Sequence, residues 1–106
     1  MRPSLYKAWH KIEPVIESKS PTESSYKLVG PICESADQFG EGLTIAVNQG
    51  DLIAIFDTGA YGFSMASNYN TRTKPAEVLA SQGKKRLIRS RETFEDIIRQ
   101  EIEMLQ

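Results

Sequence analysis

Tyr26-Lys27-Leu28-Val29-Gly30-Pro31-Ile32-Cys33-Glu34-Ser35 holds the chain's only cysteine, with a carboxylate directly beside it. Tyr26 to Val29 reads as a strand. Gly30 and Pro31 then turn the chain sharply, and a polar run follows. A structural cysteine sits more often inside an apolar run. Cys33 sits where a strand gives way to a loop, the place where a scaffold presents chemistry. Most single cysteines act as small inert hydrophobes, and reactivity needs an electropositive setting. On spacing alone both roles stay open.

Upstream, Leu5 to Ile12 is rich in aromatic residues and alternates with period two, which predicts a first strand. Pro14 ends it or leaves it at an edge. Ser18 to Ser25 holds four serines, a proline and a threonine and reads as an exposed loop. Downstream, Ser35 to Gly42 is polar and reads as a loop, and Leu43 to Val47 as a short strand. Asn48-Gln49-Gly50-Asp51 is a turn with Gly50 at positive φ. Leu52-Ile53-Ala54-Ile55-Phe56 is continuously apolar, so a strand covered on both faces is expected there, at the centre of the core. Gly59 to Met65 reads as a tight loop around Tyr61, and Ser67 to Thr73 as irregular. Ala76 to Ala80 and Lys84 to Ser90 form a hairpin about Ser81-Gln82-Gly83, the second strand basic and at an edge.

Thr93 with Asp96 three residues on predicts a helix N-cap. Phe94, Ile97, Ile98, Ile102 and Leu105 then make one apolar stripe, expected to pack on the sheet. In all, about six strands and one terminal helix are expected, mainly β and largely antiparallel, as a small Greek-key-like barrel or sandwich.

At 106 residues the chain has room for one domain with one core. Its 13 basic and 14 acidic residues give a net charge of −1, which gives no reason to expect nucleic acid or an anionic membrane as a partner. One histidine and one cysteine supply no metal-ligand spacing. A single cysteine excludes an internal disulfide and points to a reducing cytoplasm. The apolar runs fall far short of the roughly 20 residues of a membrane span. Met1-Arg2-Pro3 leads straight into the first strand pattern with no signal peptide. Such an abrupt start suits a piece of something longer.

Four groups carry chemistry. Arg2 and Tyr6 lie on one side of the expected first strand, about 13 Å apart. They could frame an elongated anionic ligand, or be an edge arginine and a half-buried tyrosine. Cys33 and Glu34 combine a thiol acid with a carboxylate suited to an ammonium group, or are a buried cysteine beside a solvated glutamate. Tyr61, between glycines, could touch a cofactor or be an ordinary loop tyrosine. His10 reads as structural, because no second base or ligand accompanies it.

Taken together, three blocks resemble the diaminopimelate decarboxylase family: Arg2-Pro3-Ser4-Leu5-Tyr6, Gly30-Pro31-Ile32-Cys33-Glu34-Ser35, and Gly59 to Asn70. Pro75-Ala76-Glu77-Val78 and Ile88 to Thr93 are similar to it as well. The resemblance covers nearly the whole chain and matches the carboxyl-terminal β-domain of that alanine racemase and ornithine decarboxylase-like fold type. It implies conversion of meso-2,6-diaminopimelate to L-lysine and CO2, with pyridoxal 5′-phosphate as cofactor. It also implies a head-to-tail homodimer and a (β/α)8 barrel as the other half. By the match, Arg2, Tyr6, Glu34 and Tyr61 bind substrate and Tyr61 also touches the cofactor. Cys33 is the acid that reprotonates the product, reaching with Glu34 into the neighbouring subunit's site.

The match has a gap. The lysine that carries the cofactor and the glycine-rich phosphate segments belong to the barrel half, and nothing here resembles them. The chain on its own is therefore expected to be inactive and to bind no cofactor covalently. Two alternatives remain: the β-domain of an ornithine, arginine or carboxynorspermidine decarboxylase, and a non-catalytic β assembly domain. Glutamate rather than aspartate after Cys33 favours the diaminopimelate enzyme.

Overall fold

The computed structural model describes residues 1–17, 19 and 22–106. The chain divides into two compact units, Met1–Met65 and Ala66–Gln106. Among the described residues the fold is mainly β: six strands form three two-stranded antiparallel ribbons, accompanied by short helices. The antiparallel expectation holds; no closed barrel is found among these residues.

The first unit opens with helix α1 (Pro3–Tyr6), not with a strand. Proline at the first helical position costs no hydrogen bond and presets the helical φ. Lys7, in the left-handed region at φ 54°, ends the turn by donating its N–H to the Pro3 carbonyl. The alternating pattern from Leu5 to Ile12 therefore does not make a strand. Strand β1 is only Ile12–Pro14 and pairs with β4 (Ile53–Ile55), Ile12 opposite Ile55. Ile12, 8% exposed, is the buried aliphatic centre of this ribbon. The fully covered strand expected over Leu52–Phe56 is not found: β4 is half-buried and Leu52 is 71% exposed. A two-stranded ribbon has too little neighbouring structure to cover both faces.

Strands β2 (Thr22–Val29) and β3 (Gln38–Val47) form the longest ribbon. Two polar stretches expected as loops belong partly to it. Ser24 and Ser25 pair with Ile45 and Thr44, and Gln38 pairs with Val29. Here the partner strand supplies the ladder, which overrides local polarity. Ser18, Ser20 and Pro21, part of the expected serine loop, lie outside the described residues. The register shifts on either side of Leu28, opposite Gly40, so the ribbon is irregular just before the Cys33 loop. Asn48 to Asp51 forms the expected turn with Gly50 at φ 95°. Helix α2 (Gly59–Gly62), one turn long, stands where a loop was expected around Tyr61.

In the second unit a 3-10 turn (Tyr69–Thr71) precedes the hairpin of β5 (Glu77–Ser81) and β6 (Lys84–Arg89). Gln82 and Gly83 form its two-residue turn at φ 50° and 71°. Both central positions are left-handed, as a twisted hairpin demands, and glycine takes the second without strain. The Glu92 carboxylate accepts from Asn68 Nδ2 at 2.5 Å and from the Lys74 N–H at 2.8 Å, which fixes the segment entering β5.

The terminal helix is two pieces, α3 (Phe94–Ile97) and α4 (Arg99–Met104), because Ile98 leaves helical geometry at φ −102°, ψ 17°. The capping box forms as predicted: Asp96 N–H donates to Thr93 Oγ1 at 3.2 Å, and Thr93 N–H to Asp96 Oδ2 at 2.9 Å. Of the stripe, Ile97 and Ile98 are half-buried while Phe94, Ile102 and Leu105 are exposed, as are Val78, Leu79, Leu87 and Ile88 of the hairpin. Hydrogen bonds from the Thr93 backbone and side chain, then from Arg99, hold the Asp96 carboxyl below the ordinary carboxylate range. A lowered folded pKa gives stability above the unfolded value that is lost as pH falls through the folded one. The far-ultraviolet dichroism of α3 should therefore hold through mildly acidic pH and fade only in strong acid. Thr93→Ala should lower it already at neutral pH. No helix among the described residues is long and apolar enough to cross a membrane.

Candidate active site

Cys33 sits in the connection between β2 and β3, and this loop is closed by Asp37. The Asp37 carbonyl accepts from the Gly30 N–H at 2.8 Å, and its carboxylate accepts from the Ile32 N–H at 2.9 Å. The Glu34 N–H donates to the Ile32 carbonyl at 2.8 Å, which turns the chain at Cys33. The result is a free, exposed thiol on a pinned loop. An open depression of about 360 Å³ lies around it, lined by Gly30, Ile32, Glu34 and Gln38 among others. That volume is in the range of small-molecule sites.

Gly30 is required by close approach. A Cβ there would lie 2.0 Å from Asp37 Oδ2, an atom already held by Ile32. Gly30→Ala should push the carboxylate off the Ile32 N–H and destabilise the chain by about 1–3 kcal/mol. Urea unfolding checks this, and an unchanged midpoint would show that the loop does not depend on Asp37.

Helix α1 is the junction of the site. At its start, Arg2 Nε lies 3.2 Å from Glu34 Oε1. Ser4 Oγ donates to the Ala36 carbonyl at 3.3 Å, a second tie to the Cys33 loop. At its end, the Tyr6 ring stacks on Tyr61 with centroids 4.3 Å apart and planes at 19°. Arg2 and Tyr6 are thus separated by one helical turn, not spread along one side of a strand. The five residues singled out from sequence fall into two joined groups, Arg2 with Glu34 beside Cys33, and Tyr6 with Tyr61. Sequence reasoning missed Asp37 and Ser4; a carboxylate closing a glycine-started loop was the available signal for Asp37. His10 is buried against this site rather than on an amphipathic strand, edge-on to Tyr6.

A thiol, a guanidinium, a carboxylate and two stacked phenols are thus grouped on the sheet-rich first unit. The chain belongs to the family of the pyridoxal-dependent decarboxylase C-terminal sheet domain, whose model matches residues 1–59. Over 106 residues it is 51% identical to the diaminopimelate decarboxylase of Neisseria meningitidis serogroup B, covering 100% of this chain and 25% of that one. Diaminopimelate decarboxylase from Helicobacter pylori, solved with L-lysine, superposes with a TM-score of 0.80 at 47% identity, covering 97% of this chain and 25% of that one. The Methanocaldococcus jannaschii enzyme, also solved with L-lysine, gives 0.80 at 44% identity, covering 93% and 23%. The chain therefore spans about a quarter of the length of the relatives it matches.

The residues present fit part of a pyridoxal phosphate site. The Tyr6 hydroxyl is buried without a partner among the described residues, and Tyr61 offers an accessible ring. Both suit one flank of a polar aromatic ligand.

Proposed function

We propose that this chain is the C-terminal β-domain of a diaminopimelate decarboxylase, which converts meso-2,6-diaminopimelate to L-lysine and CO2 in lysine biosynthesis. The observation that carries this is an exposed, free thiol on a pinned loop with the Glu34 carboxylate beside it. A guanidinium and a carboxylate are the groups that pair with the carboxylate and ammonium at the far end of a diamino diacid. When bound, pyridoxal phosphate supplies the electron sink for loss of the carboxylate. Arg2 and Glu34 hold the distal end of the substrate, Tyr6 binds substrate as well, and Tyr61 touches both substrate and cofactor. Cys33 Sγ gives its proton to the carbon that has lost CO2, and the exposed thiolate recovers one from solvent.

In this proposal both units form one β-domain, and the ribbons complete a small barrel or sandwich in the assembled enzyme. A (β/α)8 barrel half carries the cofactor lysine, and the enzyme is a cytoplasmic homodimer with shared sites. Cys33 and Glu34 then reach toward the neighbouring subunit. The intrachain Arg2–Glu34 pair is partly exposed and worth roughly 0–1 kcal/mol, so opening it for that purpose costs little.

Release of CO2 from meso-diaminopimelate with added pyridoxal phosphate is the test. The chain alone should give none, and addition of a separately produced barrel half should give turnover. Turnover by the chain alone, or none after reconstitution, would overturn the proposal. The chain alone should also self-associate through its exposed apolar residues. A sedimentation mass that stays monomeric at high concentration counts against that.

A further inference from the structure

The second unit carries its charge in two blocks. Residues 84–91 hold five cations and no acid, whereas residues 92–106 hold five acids and one cation. Part of this charge is already committed: Arg89 meets Glu77, Arg99 meets Asp96, and Glu92 ties down Asn68 and the Lys74 N–H. Lys84, Lys85 and Arg86 of β6 are exposed and make no ion pair among the described residues. The same holds for Glu95 of α3 and for Glu101 and Glu103 of α4.

Each block also carries exposed apolar side chains. On the hairpin, Val78 stands opposite Leu87, the two 56% and 59% exposed, with Leu79 and Ile88 exposed as well. On the helix, Ile102, Met104 and Leu105 are exposed. No described residue from 66 to 106 is buried. The one cysteine lies outside this unit, and no cluster of metal-ligating side chains is found among the described residues. A unit of about 40 residues with neither staple needs a partner to hold its fold.

A basic surface and an acidic surface on one unit, each with apolar residues among the charges, are what a self-complementary contact requires. Any other partner would have to match both blocks at once; a second copy does so by construction. We propose that residues 66–106 form an interface between two copies of this chain. The basic hairpin of one copy docks on the acidic terminal helix of the other, and the reverse contact closes the dimer. Apolar side chains supply the buried area, while the charges set the register and oppose hairpin-on-hairpin pairing. The contact locates the self-association expected of the chain and does not depend on decarboxylase activity.

Sedimentation of the full chain should show a dimer of twice 11.9 kDa. One variant reverses the hairpin block, Lys84→Glu with Lys85→Glu and Arg86→Glu; another reverses the helix block, Glu101→Lys with Glu103→Lys. Each alone should raise the dimer Kd by about tenfold or more, because like charges then face each other. Mixing the two variants should restore association, as a heterodimer in which every reversed block meets its complement. A chain carrying all five reversals should dimerise as the parent does, which separates loss of the contact from loss of the fold. A parent chain that stays monomeric overturns the proposal, and so does association that both reversals leave unchanged. Weakened variants that neither mixing nor the fivefold reversal rescues overturn it too. If a separately produced barrel half binds the chain and the hairpin reversal weakens that binding instead, the surface belongs to the rest of the enzyme and not to a second copy.

Discussion

Cys33→Ala lowers kcat of the reconstituted decarboxylase by about 10²–10⁴-fold, the usual contribution of a positioned acid, and leaves folding intact. The two halves of this expectation come from different observations. The Cys33 side chain is exposed and free, so removing its sulfur leaves no cavity. The loop that carries it is closed by Gly30, Ile32 and Asp37, none of which uses the thiol. A melting temperature equal to that of the parent chain should follow. Cys33→Ser should recover little, because a hydroxyl is a far weaker acid than a thiol. If Cys33→Ala turns over at the parent rate, the proton comes from another group. The non-catalytic reading of this domain would then gain what the decarboxylase reading loses.

What was legible in the sequence was local. The Gln82–Gly83 turn, the Gly50 turn and the Thr93–Asp96 cap are each specified by residues within four positions of one another. Helix α1 was not legible because one turn is too short to show a period, and aromatic alternation from Leu5 to Ile12 imitated a strand. The polar parts of β2 and β3 were hidden for another reason. Ser24 and Gln38 are in strands because Ile45 and Val29 stand opposite them, and pairing is not written in either stretch alone. The break at Ile98 and the exposed stripe were invisible because periodicity reports a face and says nothing of what covers it. The site residues emerged through three separated blocks resembling a family. Only the fold placed Arg2 on Glu34 and Tyr6 on Tyr61.

The Arg2–Glu34 pair separates a structural role from a binding role by magnitude. Its side chains are 42% and 29% exposed, so as a structural ion pair it contributes no more than roughly 1 kcal/mol. Arg2→Gln or Glu34→Gln in the full chain should therefore shift the unfolding midpoint only slightly. In a closed site the same groups face a desolvated zwitterion, where an unpaired charge costs about 2–5 kcal/mol. Each variant should then lower kcat/KM for meso-diaminopimelate by about 10²-fold in the reconstituted enzyme, since each 1.4 kcal/mol is tenfold. Glu34→Gln should favour substrates that lack the distal ammonium, because the variant no longer presents a charge that such a substrate leaves unpaired. Arg2→Gln should weaken selection for the distal carboxylate in the same way, bringing a monocarboxylic diamine acid closer to the parent substrate. A large loss of stability with kcat/KM unchanged would assign the pair to the fold alone. Equal losses for both substrates would mean that neither residue reads the distal end.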